Sequence, residues 1–312
     1  MTEKRKSLSY FIAPKYWPVW FLMAILRLIC LLPRKGLLKV GKILGKIAYY
    51  IFKSRRYIIY RNIELCFPEL KPHELQSLVF KHFEALGMML IEMGLGRWAS
   101  DQYLKKITVI NGIEHLKKAQ RNGHGVILLS AHFTTLEVSG RVLAANGLPF
   151  DSVYRKNRSD FITEIQRSGR ERSVVDTIEK QDIRKMVRNL RAGRTVWYAP
   201  DQSYNRKGAE IISFFGIPCM HTTALSRLAR LGKAIVIPFF PRRLSDGTYE
   251  ISLLEPLKKF PGNNPVTDTK RYVDILEEQI KLCPEQYFWI HRKFKNLPSE
   301  YPDFYEDLDA FE

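Results

Sequence analysis

The sequence predicts an α/β protein, a central sheet flanked by helices, with an N-terminal membrane-associating helical segment. Three observations lead there. From about residue 100 onward, short apolar runs carrying β-branched residues alternate with segments of helical periodicity, the pattern of a sheet covered by helices on both faces. Ahead of them, Trp17 to Leu32 is almost wholly apolar and is followed by a lysine-striped helix. A chain of 312 residues with 46% hydrophobic content can bury a large core, which excludes a disordered protein. Residues 1–53 are therefore expected to form a membrane anchor and basic amphipathic helix, and 54–312 the α/β domain.

The elements follow in order. Residues 1–16 are basic, with Lys4, Arg5, Lys6 and Lys15. The apolar run after them opens with Trp17 and Trp20, is interrupted by Arg27, and has no small-residue cleavage site behind it, so it reads as a retained anchor rather than a signal peptide. It is shorter than the ~20 residues needed to cross a bilayer, which leaves spanning and lying in the interface both open. From Lys35 to Ile51, Lys35, Lys39, Lys42 and Lys46 form one stripe and Leu37, Val40, Leu44, Ile47 and Ile51 another, the composition of a membrane-surface helix. Pro72 to Trp98 reads as a long helix with an apolar stripe through Leu75, Leu78, Val79, Phe83, Leu86 and Leu90. Strands are expected near 106–110, 125–130, 150–154, 195–199, 234–240 and 248–254. Helices are expected near 112–121, 135–146, 159–170, 181–192 and 222–231.

A net charge of +18 implies an anionic partner: nucleic acid, an anionic membrane surface or acidic substrates. Cys30, Cys66, Cys219 and Cys283 are widely spaced, without the intervals of a zinc site, and read as reduced core residues. Metalloprotease, P-loop and serine-hydrolase motifs are absent from the sequence.

The chemistry is concentrated in Gly125 to Glu137. A buried strand ends near Ser130, and Thr134-Thr135-Leu136-Glu137 has the form of a capping box that opens a helix. His132 falls in the turn between them. Within one helix, His132 and Glu137 would point about 140° apart, so they can cooperate only if the histidine lies outside it. A carboxylate on one imidazole nitrogen would then raise the basicity of the other. With no serine beside them, the nucleophile is expected to be a hydroxyl of the substrate, as in acyl transfer from a thioester to an alcohol. The alternative is that Glu137 only caps and His132 is a turn residue. After the other strands come Arg155, Asp201, Arg242 and Arg243, at the strand ends where sheets of this kind build sites.

His132-Phe-Thr-Thr-Leu-Glu137, Val153-Tyr154-Arg155, Gly169-Arg170-Glu171-Arg172, Trp197-Tyr198-Ala199-Pro200-Asp201, Ile237 to Arg243 and Pro284 to Arg292 resemble the late acyltransferases of lipid A biosynthesis. These are the lauroyl, myristoyl and palmitoleoyl transferases acting on Kdo-lipid A precursors. The resemblance runs over most of the chain with its motifs in order. It implies a glycerolipid acyltransferase-like fold and an enzyme at the cytoplasmic face of the inner membrane. That enzyme would take an acyl chain from acyl carrier protein, without metal or other cofactor, and add it to a hydroxyl of a lipid A precursor. It also implies His132 as general base, Glu137 as its orienting carboxylate, and Arg155, Arg170 and Asp201 in or beside the site. The wider glycerophospholipid acyltransferases share His-x4-Asp/Glu but carry a Phe-Pro-Glu-Gly-Thr-Arg-like block after it. Here Phe67-Pro68-Glu69 precedes His132, and Ala199 to Tyr204 stands in the corresponding place.

Two other classes compete with this reading. A nucleic-acid-binding protein would account for the charge, but no helix-turn-helix, zinc-finger or RNP signature is present. A non-catalytic membrane-surface protein would account for residues 17–53 and leave the strand-end residues idle.

Overall fold

The structure, a computed structural model, describes residues 7–154, 159–206 and 208–311. Lys4, Arg5 and Lys6 of the basic leader lie outside them. Four helices come first: α1 (Trp17–Ile29), α2 (Arg34–Ile51), α3 (Lys53–Cys66) and α4 (Pro72–Trp98). The start of α4 is written locally, because Pro72 needs no amide partner and the Glu74 carboxylate accepts the Lys71 backbone N–H at 2.9 Å. No helix among the described residues is long and apolar enough to cross a membrane.

α2 meets α4 through a face that its apolar stripe marks only in part. Its buried residues are Leu37, Gly41, Gly45 and Tyr49, while Ile47 and Ile51 are 49% and 64% exposed. The cause is backbone contact through glycine. A Cβ on Gly45 would stand 2.2 Å from the Phe83 carbonyl oxygen, and one on Gly87 would stand 2.1 Å from that of Gly41. Only hydrogen at these positions lets the helices close, so the small residues turn inward and the large aliphatics turn out. Leu37 joins the same core as Met88 and Ile91 of α4, which makes α2 part of the folded body. In contrast, α1 buries no residue, and Trp17, Phe21, Leu22 and Leu28 are exposed. It rests on α4 where Gly94 meets Cys30 and Leu26.

Beyond α5 (Asp101–Lys106), the chain alternates strand and helix: β1 (Thr108–Asn111), α6 (Ile113–Arg121), β2 (Val126–Leu129), α7 (Leu136–Ala145), β3 (Asp151–Tyr154) and α8 (Asp160–Arg170). Then come β4 (Asp176–Glu179), α9 (Ile183–Arg191), β5 (Thr195–Tyr198), the hairpin β6 (Ala209–Phe214) and β7 (Ile217–Thr222), and α10 (Ala224–Gly232). The chain closes with β8 (Ile235–Arg243), β9 (Tyr249–Leu253) and α11 (Pro265–Leu282). Every strand expected from the sequence is present near its expected bounds; α5, β4, the hairpin and α11 are additional.

The main sheet runs β1-β9-β8-β2-β5-β3-β4, parallel except where β8 meets β9. Central β2 is buried on both faces, and its alternation divides the core. Val126 and Leu128 pack with α6, α7 and the C-terminal half of α4. Ile127 and Leu129 pack with α3, α9, α10, α11 and the N-terminal half of α4. This is the helix-covered sheet expected from the alternating pattern.

Candidate active site

Register brings two distant residues together. Leu129 of β2 pairs with Tyr198 of β5, and the parallel pairing continues as the Ser130 N–H donates to the Tyr198 carbonyl at 2.9 Å. His132 and Asp201 each stand three residues past that pair, at the carboxyl edge of adjacent parallel strands where such sheets build sites. The His132 Nδ1–H donates to Asp201 Oδ1 at 2.6 Å, and the His132 backbone N–H donates to Oδ2 at 3.1 Å. A carboxylate only accepts, so the proton sits on Nδ1 and neutral His132 offers Nε2 as an acceptor.

The pair is held from the far end of the chain. The Tyr287 hydroxyl donates to Asp201 Oδ2 at 3.2 Å, and the Lys293 ammonium donates to the Asp201 carbonyl. The turn carrying His132 is clamped as well: the Phe288 N–H donates to the His132 carbonyl at 2.9 Å, and the Thr134 N–H to that of Gln286 at 2.9 Å. Burial alone would raise the Asp201 carboxyl, but the His132 charge and hydrogen bond, with Lys293, hold it well below the usual carboxylate range. Burial disfavours the His132 imidazolium. The Asp201 carboxylate more than offsets this and raises its pKa above the ordinary histidine value, against opposition from Lys180 and Arg170.

Glu137 is not the carboxylate on His132. It stands in the first turn of α7 and takes the guanidinium of Arg170, in the last turn of α8, side-on: Arg170 Nε donates to Oε2 at 3.0 Å and Nη2 donates to Oε1. Nor does the capping box form. The helix begins at Leu136 with Thr135 at its cap and no side-chain cap bond, and Thr134 Oγ1 is buried without a partner. A bidentate guanidinium is a stronger partner than a backbone amide, and it draws Glu137 across to α8. The expectation that Glu137 orients the base is therefore corrected in favour of Asp201, which spacing along the chain could not single out.

His132, Glu137 and Arg170 nonetheless share one cavity of about 190 Å³, with Tyr154 and Gln166 among its polar walls and Leu143, Phe150, Val174 and Phe239 among its apolar ones. The Trp197 ring meets the His132 ring edge to face at 6.3 Å between centroids. About one third of the His132 side chain is exposed, against 2% for Asp201, so the base reaches the opening while its carboxylate stays covered. Arg155 lies outside the described residues. The other strand-end cations are engaged in ion pairs: Arg242 pairs with Glu250 at 2.9 Å, and Arg243 is buried against Glu92 at 2.5 Å. Burial pushes the Glu92 carboxyl up while Arg243 pulls it down, and the Tyr249 hydroxyl adds a bond at 3.0 Å. This cluster fastens β8 to α4. Tyr287, Gln286 and Lys293 had no role assigned from sequence; the block from Pro284 to Arg292 holds the first two and stops one residue short of Lys293.

Among the described residues no group of His, Cys, Asp and Glu could hold a metal ion. A base with its orienting carboxylate, opening on a cavity part polar and part apolar, can take a proton from a hydroxyl while a hydrocarbon chain lies alongside.

The chain is similar to known acyltransferases. The model of the family described as bacterial lipid A biosynthesis acyltransferase matches residues 3–296. The lipid A biosynthesis lauroyltransferase of Escherichia coli (strain K12) is 34% identical over 307 residues, covering 98% of this chain and all of that protein. The lipid A biosynthesis palmitoleoyltransferase of the same organism is 34% identical, covering 92% of this chain and 94% of its own. The myristoyltransferase of that pathway is 25% identical, over 90% of this chain and 88% of its own.

Proposed function

Because the chain belongs to the bacterial lipid A biosynthesis acyltransferase family, we propose that it transfers a fatty acyl chain from acyl carrier protein to a hydroxyl of a Kdo-lipid A precursor, forming a secondary, acyloxyacyl ester. It would act at the cytoplasmic face of the inner membrane. The observation that carries this reading is the His132–Asp201 pair at the mouth of a half-apolar cavity.

In this mechanism neutral His132 accepts the hydroxyl proton at Nε2 as the oxygen attacks the thioester carbonyl. Asp201 holds the ring in that tautomer and stabilises the imidazolium that forms. Collapse of the tetrahedral intermediate forms the ester and breaks the C–S bond, and the imidazolium returns its proton to the departing sulfur. Glu137 serves as a positioning residue that locks Arg170 by two parallel bonds, leaving the Nη1 edge of the guanidinium for an anionic group of the acceptor. The apolar walls, with Leu143, Phe150 and Phe239, suit an acyl chain.

The N-terminal region supports attachment to an anionic membrane surface. Lys35, Lys39, Lys42 and Lys46 are all exposed, beside the exposed apolar side chains of α1 and Ile47 and Ile51 of α2. The test is product analysis on purified His132→Ala and wild-type protein. Acylated lipid from wild type, lost in the variant, supports transfer. Free fatty acid alone would mean hydrolysis, and no turnover would leave a binding protein.

A further inference from the structure

We propose that the groove between α9 and α10 is the docking surface for the acidic carrier protein that delivers the acyl chain, an assignment that rests on the donor proposed above. Arg184, Arg188 and Arg191 follow one another at helical spacing along one face of α9, Arg227 faces them from α10, and all four are exposed. They surround an open groove of about 750 Å³. Its apolar lining includes Ile183 and Leu231, 40% and 38% exposed.

The arginines are not accounted for by the fold. Arg184, Arg188 and Arg227 make no ion pair among the described residues, and Arg191 reaches only the Leu231 carbonyl, at 2.7 Å through Nε. Helix polarity explains Arg188 and Arg191, which sit in the last turn of α9 where cations are favoured. It works against Arg184, which sits in the first turn. The carboxylate nearby in sequence, Asp182, is committed to capping the helix through the Lys185 N–H at 2.9 Å. Cationic side chains around an apolar floor are complementary to an acidic amphipathic helix laid in the groove.

Position argues for a soluble partner. The exposed α1 helix lies on the C-terminal half of α4, in the layer packed on Val126 and Leu128, whereas α9 and α10 cover the opposite layer. A bilayer seated on α1 leaves this groove free. The distance is also suitable. α9 starts just after β4, at the same carboxyl edge as His132, and β4 is three strands from β2, roughly 14 Å at ordinary strand spacing. A flexible thioester arm would cross that width of sheet, and the offset of the helix layer from it, from a protein docked near the start of α9.

The test uses the full-length chain reconstituted with anionic phospholipid vesicles, comparing wild type with R184E/R188E and R184K/R188K. The charge-reversed protein should show a rise of about tenfold or more in KM for the acylated carrier protein, with kcat and the KM for the lipid acceptor near wild type. The lysine pair should retain most of the wild-type KM, and the salt dependence of donor KM should flatten in the reversed protein. Unchanged donor KM in R184E/R188E, with wild type transferring normally, overturns the docking assignment and leaves the acyl-transfer reading intact. Wild type that cannot use the carrier protein overturns the donor reading and this assignment together. Loss of vesicle binding in R184E/R188E at unchanged donor KM assigns the groove to the membrane and overturns it as well.

Discussion

The carboxyl edge of β2 and β5 and the outer surface of α1 and α2 are opposites in how they treat their side chains. At the edge, a charged carboxylate is almost wholly buried, yet the His132 ring, the His132 backbone and Tyr287 all donate to it. At the helices, Trp17, Phe21, Leu22, Leu28, Ile47 and Ile51 stand exposed among the described residues. Burying a charge or exposing an apolar face is costly in isolation. The first cost is offset inside the protein by hydrogen bonds, and the second is relieved only by something outside it. The difference separates the part of the molecule that is complete on its own from the part that, as proposed above, a membrane surface would cover.

The largest effect that would break this contrast lies at the edge. His132→Ala and Asp201→Asn should each lower acyl transfer by about 10²- to 10⁴-fold, with membrane pelleting unchanged; activity near wild type in either removes the pair from the mechanism. The pH profile sharpens the point. Because Asp201 raises the His132 pKa above its ordinary value, transfer should fall as pH drops through that raised value, where the base becomes protonated. In Asp201→Asn the burial that lowers the histidine is no longer offset, so the residual activity should persist to lower pH. An acid limb that does not move would show that Asp201 does not set the protonation of His132. For stability the sign is reversed. The raised His132 favours folding below its unfolded value and loses that contribution as pH rises through the folded one, while depressed Asp201 contributes above the unfolded carboxylate value and loses it on acidification.

Smaller effects follow. Arg170→Ala should lower transfer by about 1.5–3 kcal/mol if its guanidinium bonds an anionic acceptor, read as kcat/KM against acceptor concentration; unchanged kinetics would reduce the Glu137–Arg170 pair to a tie between α7 and α8. Gly45→Val should destabilise by about 1–3 kcal/mol, because the added carbon meets the Phe83 carbonyl, whereas Ile47→Ser on the opposite face should leave the melting temperature in place and weaken vesicle binding. Equal effects of the two on melting would erase the distinction between the faces of α2. Charge reversal at Lys39, Lys42 and Lys46 should cost roughly 1 kcal/mol of membrane binding per lysine, measured by vesicle sedimentation at two salt concentrations.

The sequence showed the sheet wherever strands were apolar and continuous, as at Val126 to Leu129 and Thr195 to Tyr198, and failed at β4, whose Asp-Thr-Ile-Glu has one buried side chain. His132 was legible because a strand end and a helix start bracket it. Its partner was not, because the contact with Asp201 depends on β5 lying beside β2, a pairing of segments 69 positions apart. Local spacing offered Glu137 instead, and Arg170, 33 positions away, was what drew that carboxylate elsewhere. Glu92 shows the same limit: within a long helical pattern nothing marks it as the buried partner of Arg243, 151 positions later. Hydrophobic periodicity did not mark the face of α2 that meets α4, because it scores glycine as neutral, while close backbone packing selects glycine.

The seating of α8 ties these two regions together. Arg170 closes its C-terminal end, Arg97 of α4 holds that end through the Ile165 carbonyl and Ser168 Oγ, both at 3.1 Å, and Phe161 near its start packs on Phe11, Tyr16 and Trp20. The leading segment therefore backs the helix that lines the cavity with Arg170 and Gln166, besides carrying the exposed apolar side chains proposed above to meet the membrane. Cutting it away to free the chain from lipid would remove the aromatic backing of the helix that presents Arg170, and release and impaired turnover would arrive as one phenotype. On this reading, turnover would depend in part on how Phe11, Tyr16 and Trp20 are seated against α8.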